Sequence, residues 1–185
     1  VVLDIKKIQQ PKYRKEMGEF FIEGEHLIQE AQKAGILDHV LITEKYEIVE
    51  NTILCGSKKV VVIDEDMPCD YITDEIAYKI TQTQTPQGIF GIAKIKEQTL
   101  LTETKILILD GLQDPGNVGT ILRTASAFGI KTVLATPETV DFYNDKVIRS
   151  TQGITFFMNI KKMAYEQIIE YLEANSFAVV SLDME

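Results

Sequence analysis

The stretch ILILDGLQDPGNVGTILRTASAFG, residues 106–129, passes from an apolar run through a Gly/Pro/Asn loop into a helical pattern. Parallel α/β sheets bind ligands at the carboxyl ends of their strands, so this junction is the leading candidate site. Gly111, Gly116 and Gly119 let the backbone come close to a ligand, Pro115 fixes a turn, and Asn117 suits a helix cap. At about 100° per residue, Val118, Ile121, Leu122, Ala125 and Phe128 share an arc of about 120° that a sheet should cover. Arg123 lies off that arc with Thr120, where it could reach over the loop toward an anion. The glycine spacing spells neither G-x-G-x-x-G nor G-x-x-x-x-G-K-[ST], so neither a dinucleotide fingerprint nor a P-loop is present. With only His26 and His39, both far upstream, and no G-x-S-x-G elbow, a Ser-His-Asp hydrolase has no basis. Taken alone, the loop is equally a tight turn into a capped helix and Arg123 a solvated arginine.

A second chemical feature opens the chain. Residues 1–15 carry Lys6, Lys7, Lys12, Arg14 and Lys15 against Asp4 alone, while the 185 residues together have a net charge of −9. The balance argues against a nonspecific nucleic-acid coat but leaves room for a local basic patch. Lys12, Arg14 and Lys15 around Tyr13 would give RNA both charge and an aromatic face. The plainer alternative is a solvated arm. Cys55 and Cys69 form no C-x-x-C pair, so a four-ligand zinc site would need every Cys and His in the chain, and no metal is expected. No secretory signal pattern opens the sequence, which points to the cytoplasm.

These residues need a scaffold. Short β-branched runs alternate with helical patterns, the mark of an α/β protein with mainly parallel strands. Strands are expected at 20–23, 39–43, 60–64 and 89–95, with helices at 25–34 and about 70–81, forming one small sandwich over residues 1–97. The polar segment 98–105 reads as a linker. A second domain, 106–185, should contain strands at 106–110, 132–135, 155–160 and 177–182 and helices near 118–128, 140–149 and 165–175.

The segment LDGLQDPGNVGTILRTASAFG resembles the first signature motif of the SpoU-type RNA ribose 2′-O-methyltransferases of the SPOUT superfamily, with Asn117, Gly119 and Arg123 on its characteristic positions. KVIRSTQGI (146–154) resembles the segment that follows. KYRKEMGEFFIEGEHLIQEAQKAG (12–35) and TPQGIFGIAKI (85–95) are similar to the family's N-terminal substrate-binding domain, which has an L30e-like fold. The resemblance implies an L30e-like α/β sandwich followed by a SPOUT-type knot domain. It also implies S-adenosylmethionine as methyl donor, ribosomal or transfer RNA as substrate, and a homodimer formed through the catalytic domain. Two later family motifs, a Gly-rich loop with Glu and a Ser/Leu/Asn helix that together tie the knot around the donor, do not occur before Glu185. The sequence is therefore expected to lack a C-terminal part of that domain, and no donor-binding residue is assigned. Arg123 and Asn117 are the expected catalytic pair, and Lys12, Tyr13, Arg14 and Lys15 the expected RNA contacts. Two other readings remain open at this point: a noncatalytic RNA-binding protein on the same scaffold, and a small-molecule phosphate-binding protein using the 111–119 loop.

Overall fold

The computed structural model describes residues 2–97 and 104–182. Apart from Thr104 and Lys105, the expected linker falls outside them. The first half runs α1 (Val2–Ile8), α2 (Pro11–Met17), β1 (Glu19–Glu23), α3 (Glu25–Lys33), β2 (Leu37–Ile42), β3 (Glu47–Val49), β4 (Thr52–Cys55), β5 (Lys58–Val62), β6 (Cys69–Tyr71), α4 (Asp74–Ile80) and β7 (Ile89–Lys94). The second runs β8 (Ile106–Leu109), α5 (Pro115–Ala127), β9 (Thr132–Ala135), α6 (Asp145–Thr151), a 3₁₀ turn (Ile154–Phe157), β10 (Asn159–Lys162) and α7 (Tyr165–Ala174).

Strands β1, β7, β2 and β6 form a mixed four-stranded sheet in that order, with only the β2–β6 pair parallel. Period-two alternation sends Phe20, Ile22, Val40, Ile42 and Ala93 to one face, toward α3. Phe21, Leu41 and Phe90 go to the other, where they meet Ile5 and Ile8 of α1 and Ile80 of α4. The basic N-terminus is thus not a loose arm but two helices packed on the sheet. Residues 47–62 form a separate meander, β3–β4–β5, turned by Glu50 and Asn51, both at positive φ. Only its last strand was legible in the sequence, because three- and four-residue strands carry too little alternation to be seen. The expected helix from 70 starts later: Cys69–Tyr71 pairs with β2, and the Thr73 hydroxyl accepts from Ile76 N–H to cap α4.

In the second half β8, β9 and β10 are all parallel, in the order 10-9-8. Leu107, Leu109, Val133 and Ala135 face α5 and α6, while Ile106, Ile108 and Leu134 face Ile168 and Leu172 of α7. Helices cover both faces, as a parallel sheet requires. Three expectations fail here for local reasons. Asn144, not a residue near 140, caps α6 by accepting from Lys146 N–H at 2.9 Å. Gln152 and Gly153 both adopt left-handed backbone, φ 53° and 81°, so the chain turns and residues 154–157 form a 3₁₀ turn before the strand begins at Asn159. No strand forms at 177–182: Phe177 donates its N–H to Leu172 O and stacks on Tyr171, closing α7 instead of pairing with the sheet.

The halves share packing. Ile148 and Phe156 of the second enter the main core of the first, and Phe20 meets the rings of Tyr143 and Phe156 at 4.9 and 5.6 Å. Arg14 of α2 is 4% exposed. Its Nε and Nη2 both donate to Asp141 Oδ2, at 3.1 and 2.7 Å, and its Nη1 donates to the carbonyls of Ile8 and Gln9. The expected RNA contact is therefore turned inward, because Asp141 ahead of α6 gives the guanidinium a partner that solvent-facing neighbours do not. Replacing Arg14 with alanine leaves Asp141 without its cation, and a loss of about 3 kcal/mol is expected in urea denaturation. A loss under about 0.5 kcal/mol would identify an ordinary surface pair.

Candidate functional site

Helix α5 follows β8 directly through the 110–114 loop. Asp114, not Asn117, is its cap: the Asp114 carboxylate accepts from Asn117 N–H at 2.7 Å, and Pro115 occupies the first turn, where a missing N–H costs nothing. Gly111 takes φ 62° and donates its N–H to the Thr136 hydroxyl at 2.9 Å. Thr139 Oγ1 donates to Leu109 O, and Val140 N–H to Leu112 O. The loops after β8 and β9 are thereby laced together at the carboxyl edge of the sheet.

Three sides of α5 are accounted for. Val118, Leu122 and Ala125 are buried toward the sheet, as expected, whereas Phe128 lies past the helix end and is 76% exposed. Gly119 faces α6, and a Cβ there would lie 2.2 Å from Ser150 Oγ and 2.9 Å from the Ser150 carbonyl carbon. This glycine allows close helix contact. The Ser150 hydroxyl sits 2.9 Å from Pro115 O and 2.8 Å from Val147 O, so it bonds the first turn of α5 or its own helix. The remaining side carries Asn117, Thr120, Arg123 and Thr124, all exposed, within about 120° of arc. Thr120 and Thr124 donate back to the Gly116 and Thr120 carbonyls. Arg123 has no hydrogen-bond or ion-pair partner among the described residues. Lys12 and Lys15 are exposed on α2, with Lys12 Nζ 5.7 Å from the centre of the half-buried Tyr13 ring. The two expected clusters thus occupy different helices, linked through Asp141 and α6.

Residues that sequence reasoning did not single out complete the picture. An open cleft of about 460 Å³ lies between the halves, walled by Glu23, Gly24, His26 and Gln87 on one side and by Arg149 and Gln152 on the other. Arg149 Nη2 pairs with Asp145 Oδ2 at 2.6 Å. Burial holds the Asp145 carboxyl above its ordinary range, although Arg149 pulls the other way. Burial likewise lowers Lys162, whose Nζ donates to the Thr139 and Pro137 carbonyls beside the Arg14–Asp141 pair. The segments TPQG and RSTQG held the signal, but only their location in two halves of one cleft identifies the residues that matter.

Residues 104–185 match the SpoU rRNA Methylase family, and residues 1–91 match an MRM3-like substrate binding domain. The chain is 32% identical over 179 residues to the 23S rRNA (guanosine(2553)-2′-O)-methyltransferase RlmP of Bacillus subtilis (strain 168), covering 96% of this chain and 68% of that protein. It is 31% identical to the mitochondrial rRNA methyltransferase 3 of Homo sapiens, covering 91% of this chain and 41% of the human protein. The AdoMet-bound rRNA methyltransferase from Sinorhizobium meliloti is similar at a TM-score of 0.72 and 27% identity, over 94% of this chain and 65% of that one. A chain with this parallel-sheet fold and this loop belongs to the SpoU rRNA methylase family. It spans about two thirds of the bacterial relatives and less than half of the human one.

The AdoMet-bound relative raises the question of which residues here would hold the methyl donor. The buried polar groups at the carboxyl edge of β8 and β9, Thr136 and Thr139, are engaged within the chain. They hold the loops together, and no described residue is assigned to S-adenosylmethionine. The α5–α6 contact is directly testable. Gly119→Ala is expected to cost about 1 to 3 kcal/mol in thermal denaturation, because Ser150 backbone as well as side chain must move. Unchanged stability would show that the helices do not meet so closely.

Proposed function

We propose that this chain contributes the RNA-binding half (1–97) and the catalytic domain (106–185), without its C-terminal part, of an enzyme that transfers methyl from S-adenosylmethionine to a ribose 2′-hydroxyl of ribosomal RNA. The observation that carries the proposal is Arg123: exposed and unpaired among the described residues, on a helix fixed by the sheet on one side and by Ser150 on another. Family membership and the activities named for the bacterial and human relatives support the substrate class. A homodimer formed through the second half, which the family resemblance implies, and a cytoplasmic location belong to the same proposal.

The donor supplies an electrophilic methyl group; the chain must hold the attacking hydroxyl in line with it. Alignment of this kind can lower a barrier by up to about 7 to 11 kcal/mol. Arg123 is unsuited to remove the hydroxyl proton, since a guanidinium stays charged in proteins. Its planar fork suits the other task, a two-point grip on the phosphate next to the target ribose. Asn117, about one and two thirds turns earlier and within the same exposed arc, orients the ribose or the loop that borders it. Lys12, Lys15 and Tyr13 hold the RNA farther out, and Arg14 fixes α2 beneath them through Asp141.

Arg123→Ala in the full-length protein should fold normally and lose roughly 10²- to 10³-fold in single-turnover methyl transfer to a 23S rRNA transcript. Arg123→Lys should fall between alanine and wild type, because a point charge keeps attraction but not the fork. Wild-type rates in both would make Arg123 a plain surface residue. Lys12→Ala with Lys15→Ala should leave the fold intact and reduce the slope of log affinity against log salt by about 1.5 units, two phosphate contacts' worth. An unaltered slope would remove α2 from the RNA-binding surface.

A further inference from the structure

The cleft between the halves is built around one side chain, Gln87. Its backbone is held from both sides: the N–H donates to Glu23 Oε1 at 3.0 Å, and the carbonyl accepts from Tyr46 Oη at 3.2 Å and Lys45 Nζ at 3.1 Å. Glu23, at the end of β1, is 4% exposed and also accepts from the hydroxyls of Thr81 and Thr83. A buried carboxylate with this many donors pins the whole 81–87 loop, and its own oxygens are already occupied. Gly24 completes the seat. A Cβ at that position would come within 2.5 Å of Gln87 Oε1, so glycine is what lets the amide lie against the β1–α3 turn.

This careful positioning leaves the amide itself unused. Neither its oxygen nor its NH₂ has a hydrogen-bond partner among the described residues, and it faces Arg149 and Gln152 across the cleft. Gln152 also has an unpartnered amide among those residues, and its backbone takes φ 53°, a left-handed conformation uncommon outside glycine. Its carbonyl meets His26 Nε2 at 3.2 Å, which ties the two walls together. Arg149 uses one guanidinium nitrogen on Asp145, and its other N–H groups have no partner among the described residues.

A primary amide carried on a backbone held in this way offers one donor and one acceptor side by side, the complement of a nucleobase edge, and RNA-binding proteins read bases that are splayed out of the stack. A free guanidinium edge a short distance away suits the phosphate attached to such a base. The cleft volume of about 460 Å³ falls in the usual small-ligand range of about 300 to 1,000 Å³. We propose that this cleft takes one splayed nucleotide of the RNA substrate, its base edge read by Gln87 and Gln152 and its phosphate held by Arg149. The inference rests on the RNA methyltransferase reading and adds a specificity site to it. Because Ser150, next to Arg149, is keyed into α5 at Gly119, a nucleotide held here stands at a fixed offset from Arg123.

The test uses the full-length protein and 23S rRNA transcripts randomised at the positions flanking the methylated ribose. Wild type is expected to methylate the transcripts with a preference for one nucleotide at one flanking position. Gln87→Ala should flatten that preference and raise KM for the RNA about tenfold, with kcat within twofold and an unchanged melting temperature. Gln152→Gly should flatten it likewise, while relieving the left-handed backbone, so that a folding defect cannot account for both results. If wild type neither binds nor methylates any transcript, the RNA reading itself fails. If wild type is active and both variants keep its KM and its preference, the cleft is not a nucleotide site. A raised KM with the preference intact would overturn base reading in particular.

Discussion

Helix α6 can do its work only because Gly119 of α5 lacks a side chain. With Ser150 Oγ 2.2 Å and its carbonyl carbon 2.9 Å from where a Cβ would stand, the contact between the two helices leaves no room for a side chain at 119. Everything else at the centre of the molecule follows from where that contact puts α6. Its inner face sends Val147 into the core under the parallel sheet and Ile148 into the core of the other half. Its C-terminal end places Arg149 and Gln152 on the cleft wall. A shift of α6 away from α5 would thus move the 110–114 loop, the seam and the cleft together, because a close-packed interior transmits displacement instead of absorbing it.

Two different forces join the halves. The rings of Phe20, Tyr143 and Phe156 exclude water, and burying one aromatic side chain is worth about 2 to 3 kcal/mol with some further gain from ring geometry. The Arg14–Asp141 pair contributes less net adhesion, since the cost of stripping water from a guanidinium offsets much of its attraction. What it contributes is register. Nε and Nη2 on one oxygen and Nη1 on two backbone carbonyls fix α2 against the Asp141 turn in one orientation, where an apolar contact would tolerate sliding. Adhesion therefore comes from the rings and alignment from the ion pair.

The contrast between Arg123 and Arg14 shows how far the sequence could be read. Helical spacing placed Arg123 off the apolar arc, and it is exposed there, because a thirteen-residue helix carries enough periodicity to assign its faces. Arg14 sits in a basic run that looked uniformly solvated, yet its partner is 127 residues away, and no local pattern encodes such a pairing. The same limit explains Phe128, which continues the apolar arc in the sequence but is the residue after Ala127, the last of the helix, where the chain turns away through Gly129. The parallel sheet of the second half was legible strand by strand until Gln152, where two successive left-handed residues break the pattern. Gln87 was invisible as a functional candidate for a related reason: its placement depends on Glu23 and Tyr46, distant in sequence, meeting its backbone from opposite sides.

The separation between Arg123 and the cleft has a consequence for how binding energy is used. A contact made equally in the ground and transition states tightens binding without accelerating chemistry, and a nucleotide held at Gln87, as proposed here, would be such a contact. It becomes useful to the reaction only if the nucleotide is rigidly connected to the target ribose and the protein is rigidly connected between the two points. RNA meets the first condition through its backbone. The second is met here by a continuous chain of short contacts: Gln87 to Glu23 at the end of β1, Phe20 of β1 to Phe156, and Ser150 of α6 to the first turn of α5. Remote recognition can then be converted into alignment of the 2′-hydroxyl, which is the task proposed here for the planar fork of Arg123.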